Sequence, residues 1–110
     1  MTTTQTDRIR ELNDVFRMTW LTGTVLITSR IKSLPDAIQS SIVEAVQTFD
    51  SFTPDNDPLG EHDFGAVTIE GHRVFWKIDY YDPTMQYGSE DPANPAVTER
   101  VLTIMLAEEY

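Results

Sequence analysis

Residues 62–81 read HDFGAVTIEGHRVFWKIDYY, two alternating runs broken by a glycine. Val67 and Ile69 before the break, and Val74, Trp76 and Ile78 after it, recur at every second position. That is the spacing of strands with one buried face. Gly71-His72 reads as a two-residue connection, with Gly71 supplying the positive φ of a type II′ turn between strands at 62–70 and 73–81. This register sets 70 against 73, 68 against 75, 66 against 77, 64 against 79 and 62 against 81. It gives Val67, Ile69, Val74, Trp76 and Ile78 to the core face. His62, Phe64, Thr68, Glu70, Arg73, Phe75, Lys77, Asp79 and Tyr81 take the other face, with Glu70 opposite Arg73 as a cross-strand ion pair.

Downstream, residues 100–107 (RVLTIMLA) are apolar on both parities, which predicts a buried central strand, with a short helix as the alternative. Upstream, Thr24-Val25-Leu26-Ile27-Thr28 is short and β-branched and reads as a strand. Ser33-Leu34-Pro35-Asp36 reads as a helix start: a capping hydroxyl, a proline in the first turn, then an acid near the positive helix end. Ile38, Ile42, Ala45, Val46 and Phe49 continue it as one apolar stripe that stops before Pro54. An earlier helix runs from Asp7 on the spacing of Ile9, Leu12, Val15, Phe16, Thr19 and Trp20, with Thr6 or Asp7 as its cap and Gly23 as its end. Residues 50–60 and 83–95 have loop chemistry. The reading is a disordered N-terminus at 1–6 and a single α+β domain at 7–110. Its order is α-β-α-β-β-β: a mainly antiparallel sheet of about four strands with two helices on one face.

A chain of 110 residues suits one core. Cysteine is absent, which excludes a disulfide framework, a thiol nucleophile and any Cys-ligated metal. The N-terminus has neither the basic start nor the apolar run of a signal peptide. Runs such as Ile104-Met105-Leu106-Ala107 are too short to cross a bilayer. The expectation is a soluble, cytoplasmic protein. Its net charge is −10, unevenly spread. Residues 1–32 hold five bases and three acids, a balance of +2, whereas residues 33–110 hold three bases and fifteen acids, a balance of −12. Such a field repels phosphates, so neither nucleic acid nor an anionic membrane is an expected ligand. A basic partner or a cation is the natural complement.

Five strings carry a resemblance: Asn13-Asp14-Val15-Phe16-Arg17, Leu21-Thr22-Gly23, DNDPLGEHDFG at 55–65, WKIDYYD at 76–82 and RVLTIMLAEEY at 100–110. Together they resemble a bacterial domain-of-unknown-function family, found largely in alphaproteobacteria and often on plasmids and other mobile elements. The resemblance covers nearly the whole chain. It implies a bacterial cytoplasmic protein and carries over no catalytic residue. Gene neighbourhoods of that kind are rich in antirestriction and anti-CRISPR functions.

Residues 55–63 pack four acids and a histidine into nine positions, and their oxygens could serve a hard cation. Against the EF-hand pattern, Asp55, Asp57 and Gly60 match positions 1, 3 and 6, but Leu59 and Ala66 stand where acids are needed, so this is no EF-hand. The plainer reading is an Asx-rich turn. His62 with Asp79 and Tyr81 could form an acid–base pair, but the chain has no GxSxG, no HExxH and no phosphate-cradling glycine loop, and an ordinary hydrogen-bonded histidine fits as well. Phe64, Phe75 and Tyr81 would form an aromatic patch beside Lys77 and Asp79, unless the 82–99 loop or a second protomer covers it.

No catalytic residue, metal ligand or cofactor is therefore assigned. The leading expectation is a non-enzymatic acidic protein that imitates nucleic acid toward a basic, nucleic-acid-binding partner. Its contact residues would be Asp55, Asp57, Glu61, Asp63, Phe64, Phe75, Asp79, Tyr81, Asp82, Glu90 and Asp91. The alternatives are a small metal-dependent enzyme using Asp55, Asp57, Glu61, His62, Asp63 and Asp79, and a homodimeric regulatory module.

Overall fold

Two helices and four strands form where the periodicities place them. The computed structural model describes residues 4–110. Strands β1 (Thr24–Ile27), β2 (Phe64–Ile69), β3 (His72–Tyr81) and β4 (Glu99–Leu106) lie in the order β1-β4-β3-β2. β2–β3 and β3–β4 are antiparallel, and β1–β4 is parallel. Helix α1 (Gln5–Thr19), the single turn α2 (Ser29–Lys32) and helix α3 (Asp36–Gln47) complete the chain, with short 3₁₀ turns at Pro95–Val97 and Ala107–Glu109. The result is one α+β domain with a mixed, mostly antiparallel sheet. α1 and α3 bury Phe16, Ile42 and Val46 against Trp76, Ile78, Leu102 and Ile104. β4 is the central strand that the apolar run at 100–107 predicts, buried at six of its eight positions.

The hairpin keeps its predicted faces and loses its predicted register. Ile69 pairs with His72, Thr68 with Arg73, Val67 with Val74 and Gly65 with Trp76. The two-residue turn is therefore Glu70-Gly71, not Gly71-His72. Both residues have positive φ, 49° and 79°, as a type I′ turn requires. A two-residue slip preserves parity, so Trp76 stays fully buried and Lys77 stays on the opposite face. Glu70 does not oppose Arg73, whose guanidinium instead reaches the Thr68 hydroxyl at 3.5 Å. Packing accounts for the choice. The Trp76 indole lies over Gly65, where a Cβ would sit 2.4 Å from its Nε1, so the large ring faces the one residue in β2 that can admit it.

Helix α1 starts earlier than its apolar spacing suggests. The Thr4 hydroxyl accepts from Asp7 N at 3.0 Å and the Asp7 carboxylate from Thr4 N at 3.3 Å, a capping box. Thr4, not Thr6 or Asp7, is the cap. Of the residues expected to be disordered, 4–6 form the cap and first turn, and 1–3 lie outside the described residues. The helix ends at Trp20, whose φ of 61° is left-handed and whose N–H bonds the Phe16 carbonyl at 2.7 Å. Gly23 serves a close approach instead: a Cβ there would lie 2.6 Å from the Arg100 carbonyl oxygen and 2.7 Å from the Phe16 ring. The buried stripe of α1 is Ile9, Asn13, Phe16 and Arg17, whereas Val15, expected in the core, is half exposed. Thr28 caps the unpredicted turn α2. Ser33 closes that turn rather than opening α3, whose N-cap position is Pro35 and which therefore has no side-chain cap.

Candidate interaction surface

The inward turn of Asn13 and Arg17 builds a polar hub beneath two acid-rich loops. Asn13 is fully buried. Its Oδ1 accepts from Arg100 Nε at 2.7 Å, and its Nδ2 donates to the Tyr80 hydroxyl at 2.8 Å and to the Glu61 carbonyl at 3.0 Å. Tyr80 in turn donates to Glu61 Oε1 at 2.8 Å. Arg100 lies over the Tyr80 ring and donates to the Pro92 carbonyl. Burial pushes the Tyr80 phenol well up, so it stays a neutral donor, and burial lowers the Arg100 guanidinium from its ordinary value. One asparagine on α1 thus ties residue 61 of the first loop, through Arg100, to residue 92 of the second.

Further bonds fasten the same loops to α1. Arg10 donates to the Gly60 carbonyl at 3.0 Å, and Gln5 to Asp91 Oδ1 at 2.9 Å. His62, at φ 56°, turns toward the helix, where its Nδ1 lies 2.9 Å from Asp14 Oδ1. Its ring stacks on Phe52 at 3.6 Å. Asp14 also holds Arg17 at 3.0 Å, and the Arg17 guanidinium lies over both the Trp76 and the Phe52 ring, 5.2 and 5.4 Å from their centroids. The constellation of His62 with Asp79 and Tyr81 therefore does not form. The actual register brings Asp63, not His62, to β3, where the Ile78 N–H donates to the Asp63 carbonyl at 2.8 Å. Among the described residues no group of three or more His, Asp or Glu side chains is placed to hold a metal ion.

The expected contact residues fall into two sets. In the first, the side chain is occupied by the fold. Asp57 is buried and accepts from the His62 N–H at 3.2 Å. Glu61 takes the Tyr80 hydroxyl. Asp82 accepts from the Thr84 hydroxyl at 2.7 Å and from the Gln86 N–H at 3.3 Å, bonds that hold its carboxyl below the usual range. Asp91 takes Gln5 and the Ala93 N–H. Asp79 is paired with Lys77 at 3.0 Å, and that bond raises the Lys77 ammonium above its usual value. Tyr81 stands apart from this set: it lies opposite Glu99 at the end of β3, partly buried, and its hydroxyl forms no hydrogen bond among the described residues.

The second set is tied by no side-chain hydrogen bond or ion pair among the described residues. Asp55 and Glu90 are exposed. Asp63 is half-buried, and burial first, then the Glu61 charge, with smaller parts from Asp57 and Asp79, pushes its carboxyl up. Phe64 and Phe75 meet on the sheet face away from the helices, with ring centroids 5.2 Å apart. Within the chain it is Tyr110, rather than the 82–99 loop, whose ring meets them, 5.9 Å from Phe64 and 5.6 Å from Phe75. Asn13, Arg17, Tyr80, Arg100 and Tyr110 are the site residues that sequence reasoning missed. Polar Asn13 and Arg17, four and eight positions after Ile9 on α1, were the available signal.

Comparison with protein families gives a match over residues 27–109 to the family described as protein of unknown function (DUF3768). The chain belongs to this family. In this DUF3768 member the match takes in Glu61, His62, Tyr80 and Arg100, whereas their α1 partners, Asn13 and Asp14, lie before it. Comparison with curated proteins and with solved structures gives no match. No helix among the described residues is long and apolar enough to cross a membrane.

Proposed function

We propose that this protein acts by contact rather than by catalysis, presenting acidic surface to a basic partner that otherwise binds nucleic acid. One observation carries the reading: six of the eight bases are paired with their own chain or buried, while three acids of the loop regions are left without a partner among the described residues. Arg8, Arg10, Arg17, Arg30 and Lys77 sit in ion pairs with their own chain, and Arg100 is buried. Asp55, Asp63 and Glu90 form no ion pair among the described residues. Both loops are fastened to α1, at Gln5, Arg10 and Asn13, within about two helical turns of each other. Held that way, their charges add in one field, which attracts Lys and Arg side chains over about a Debye length and speeds encounter with a basic protein.

The test captures host proteins on the immobilised chain at low salt and elutes them with rising salt. Each eluted protein is then assayed for release of duplex DNA. The variant carrying Asp55→Lys, Asp63→Lys and Glu90→Lys changes only carboxylates outside the hub, so its circular dichroism should match the parent. The expected result is a basic DNA-binding protein that the parent strips from DNA and the variant does not. Undiminished binding and displacement by the triple variant overturns the reading.

A further inference from the structure

We propose that the free edge of β2 takes up an extended peptide segment of a partner protein as a fifth strand, one whose short uncharged stretch is flanked by lysine or arginine. The edge itself is the first observation. β2 is outermost in the sheet, and its six residues, FGAVTI, include no charge and no proline, so it lacks the usual protections of an exposed edge. The backbone phase can be read from the turn side. Ile78 donates to the Asp63 carbonyl, so in the register of this pair residues 63, 65, 67 and 69 face β3. The N–H and C=O groups of Phe64, Ala66 and Thr68 therefore point outward, where a new strand would bond them.

A groove of about 640 Å³ runs along the same edge. All six β2 residues line it, from both faces of the sheet, and its far wall is the end of α3 and the segment after it, including Ala45, Phe49 and Asp50. A cavity touched by both faces of one strand lies along that strand's edge. An added strand would set alternate side chains against the α3 wall and against the Phe64–Phe75 pair on the opposite face.

Charge selects the occupant. Asp50 and Arg73 are the charged residues of the groove lining and offset each other, while Asp63 and Glu70 bracket the strand and tip the balance to acid; none of the three acids forms an ion pair among the described residues. Burial already presses the Asp63 carboxyl toward its neutral form, which a neighbouring cation would reverse. A second copy fits poorly. Two-fold pairing through Ala66 would bring Asp63 of each chain beside Glu70 of the other, twice, between molecules that each carry −10. A basic-ended strand meets all three acids. The preference for a basic partner is shared with the proposed function, but the edge and the groove stand apart from it.

The probe is a fluorescein-labelled peptide of six alternating Val and Thr residues between pairs of lysines. Anisotropy should report binding that weakens at least tenfold when glutamates replace the lysines. It should weaken at least tenfold again when alternate peptide nitrogens are methylated, which removes strand donors and keeps the charge. In the protein, Ala66→Pro deletes an outward N–H and no β2–β3 bond, and should abolish binding with the melting curve held. Amide shifts should centre on Phe64, Ala66 and Thr68. Binding indifferent to N-methylation overturns the edge site while leaving an electrostatic partner surface standing. So does a dimer of the free protein that Ala66→Pro dissolves, because the edge is then already filled.

Discussion

Asn13→Ala is predicted to remove a large share of the protein's stability without touching its apolar core. The side chain makes three bonds from a fully buried position, one of them to a guanidinium that is itself buried. A hydrogen bond to a charged group contributes about 1.5–3 kcal/mol and a neutral one about 0.5–1.5. Tyr80 keeps Glu61 Oε1 as its acceptor in the variant, so the Tyr80 bond belongs at the low end. The Arg100 bond belongs at the high end, because Nε loses its acceptor in a dry site. The expected loss is about 3–5 kcal/mol, against a usual total of about 5–15 for a domain. Guanidinium unfolding followed by tryptophan fluorescence measures it, since Trp76 is central to the core. The midpoint should fall with the slope unchanged. Amide exchange should also quicken together in residues 57–62 and 90–94, because one side chain holds both. A loss below about 1 kcal/mol, or faster exchange in one loop alone, would refute the view of Asn13 as the shared anchor.

Gly23→Ala should cost about 1–3 kcal/mol, because the added methyl meets a β4 carbonyl and the buried Phe16 ring; thermal melting decides it. Glu70→Asn should gain up to ~1 kcal/mol by easing a left-handed residue in the turn, and no gain would count against the I′ turn. Asp63→Asn should raise the melting temperature at pH 7. A carboxyl whose native pKa is raised holds its proton more tightly when folded, so stability falls as pH rises from 3.8 through the native value and stays lower above it. The advantage of the amide should therefore vanish below the ordinary carboxylate range, and melting curves across pH test the sign.

How far the sequence could be read follows from which signals survive a shift. The hairpin's faces were legible because parity alone sets them, and a two-residue slip changes no parity. Its register was not, since Gly71 can serve a two-residue turn from either central position, and the choice fell to the packing of Trp76 on Gly65, each five residues from the turn. β4 was legible from an apolar run on both parities, the mark of a strand covered on both sides. On α1 the hydropathy stripe pointed to Leu12 and Val15, yet the helix turns Asn13 and Arg17 inward, because the sheet beneath presents Arg100, Tyr80 and the rings of Trp76 and Phe52. No local pattern carries that demand, which comes from residues up to 87 positions distant. The acidic loops were legible as loops and as charge. The division of their acids between structural bonds and open surface was not, because it depends on which of them face α1.

The parallel pairing of β1 with β4 sets Thr24 against Val101, and it orders events during synthesis. The β2–β3 hairpin needs only its own residues and can close as soon as they are free, on the microsecond scale of hairpins. β1 emerges long before it, and its neighbour in the sheet among the described residues is β4, the last of these four strands in sequence. Until β4 arrives and slides between them, Val25 and Ile27 on one side and Trp76 and Ile78 on the other remain uncovered. The sheet can therefore be completed only late, once β4 is free to pair on both of its sides.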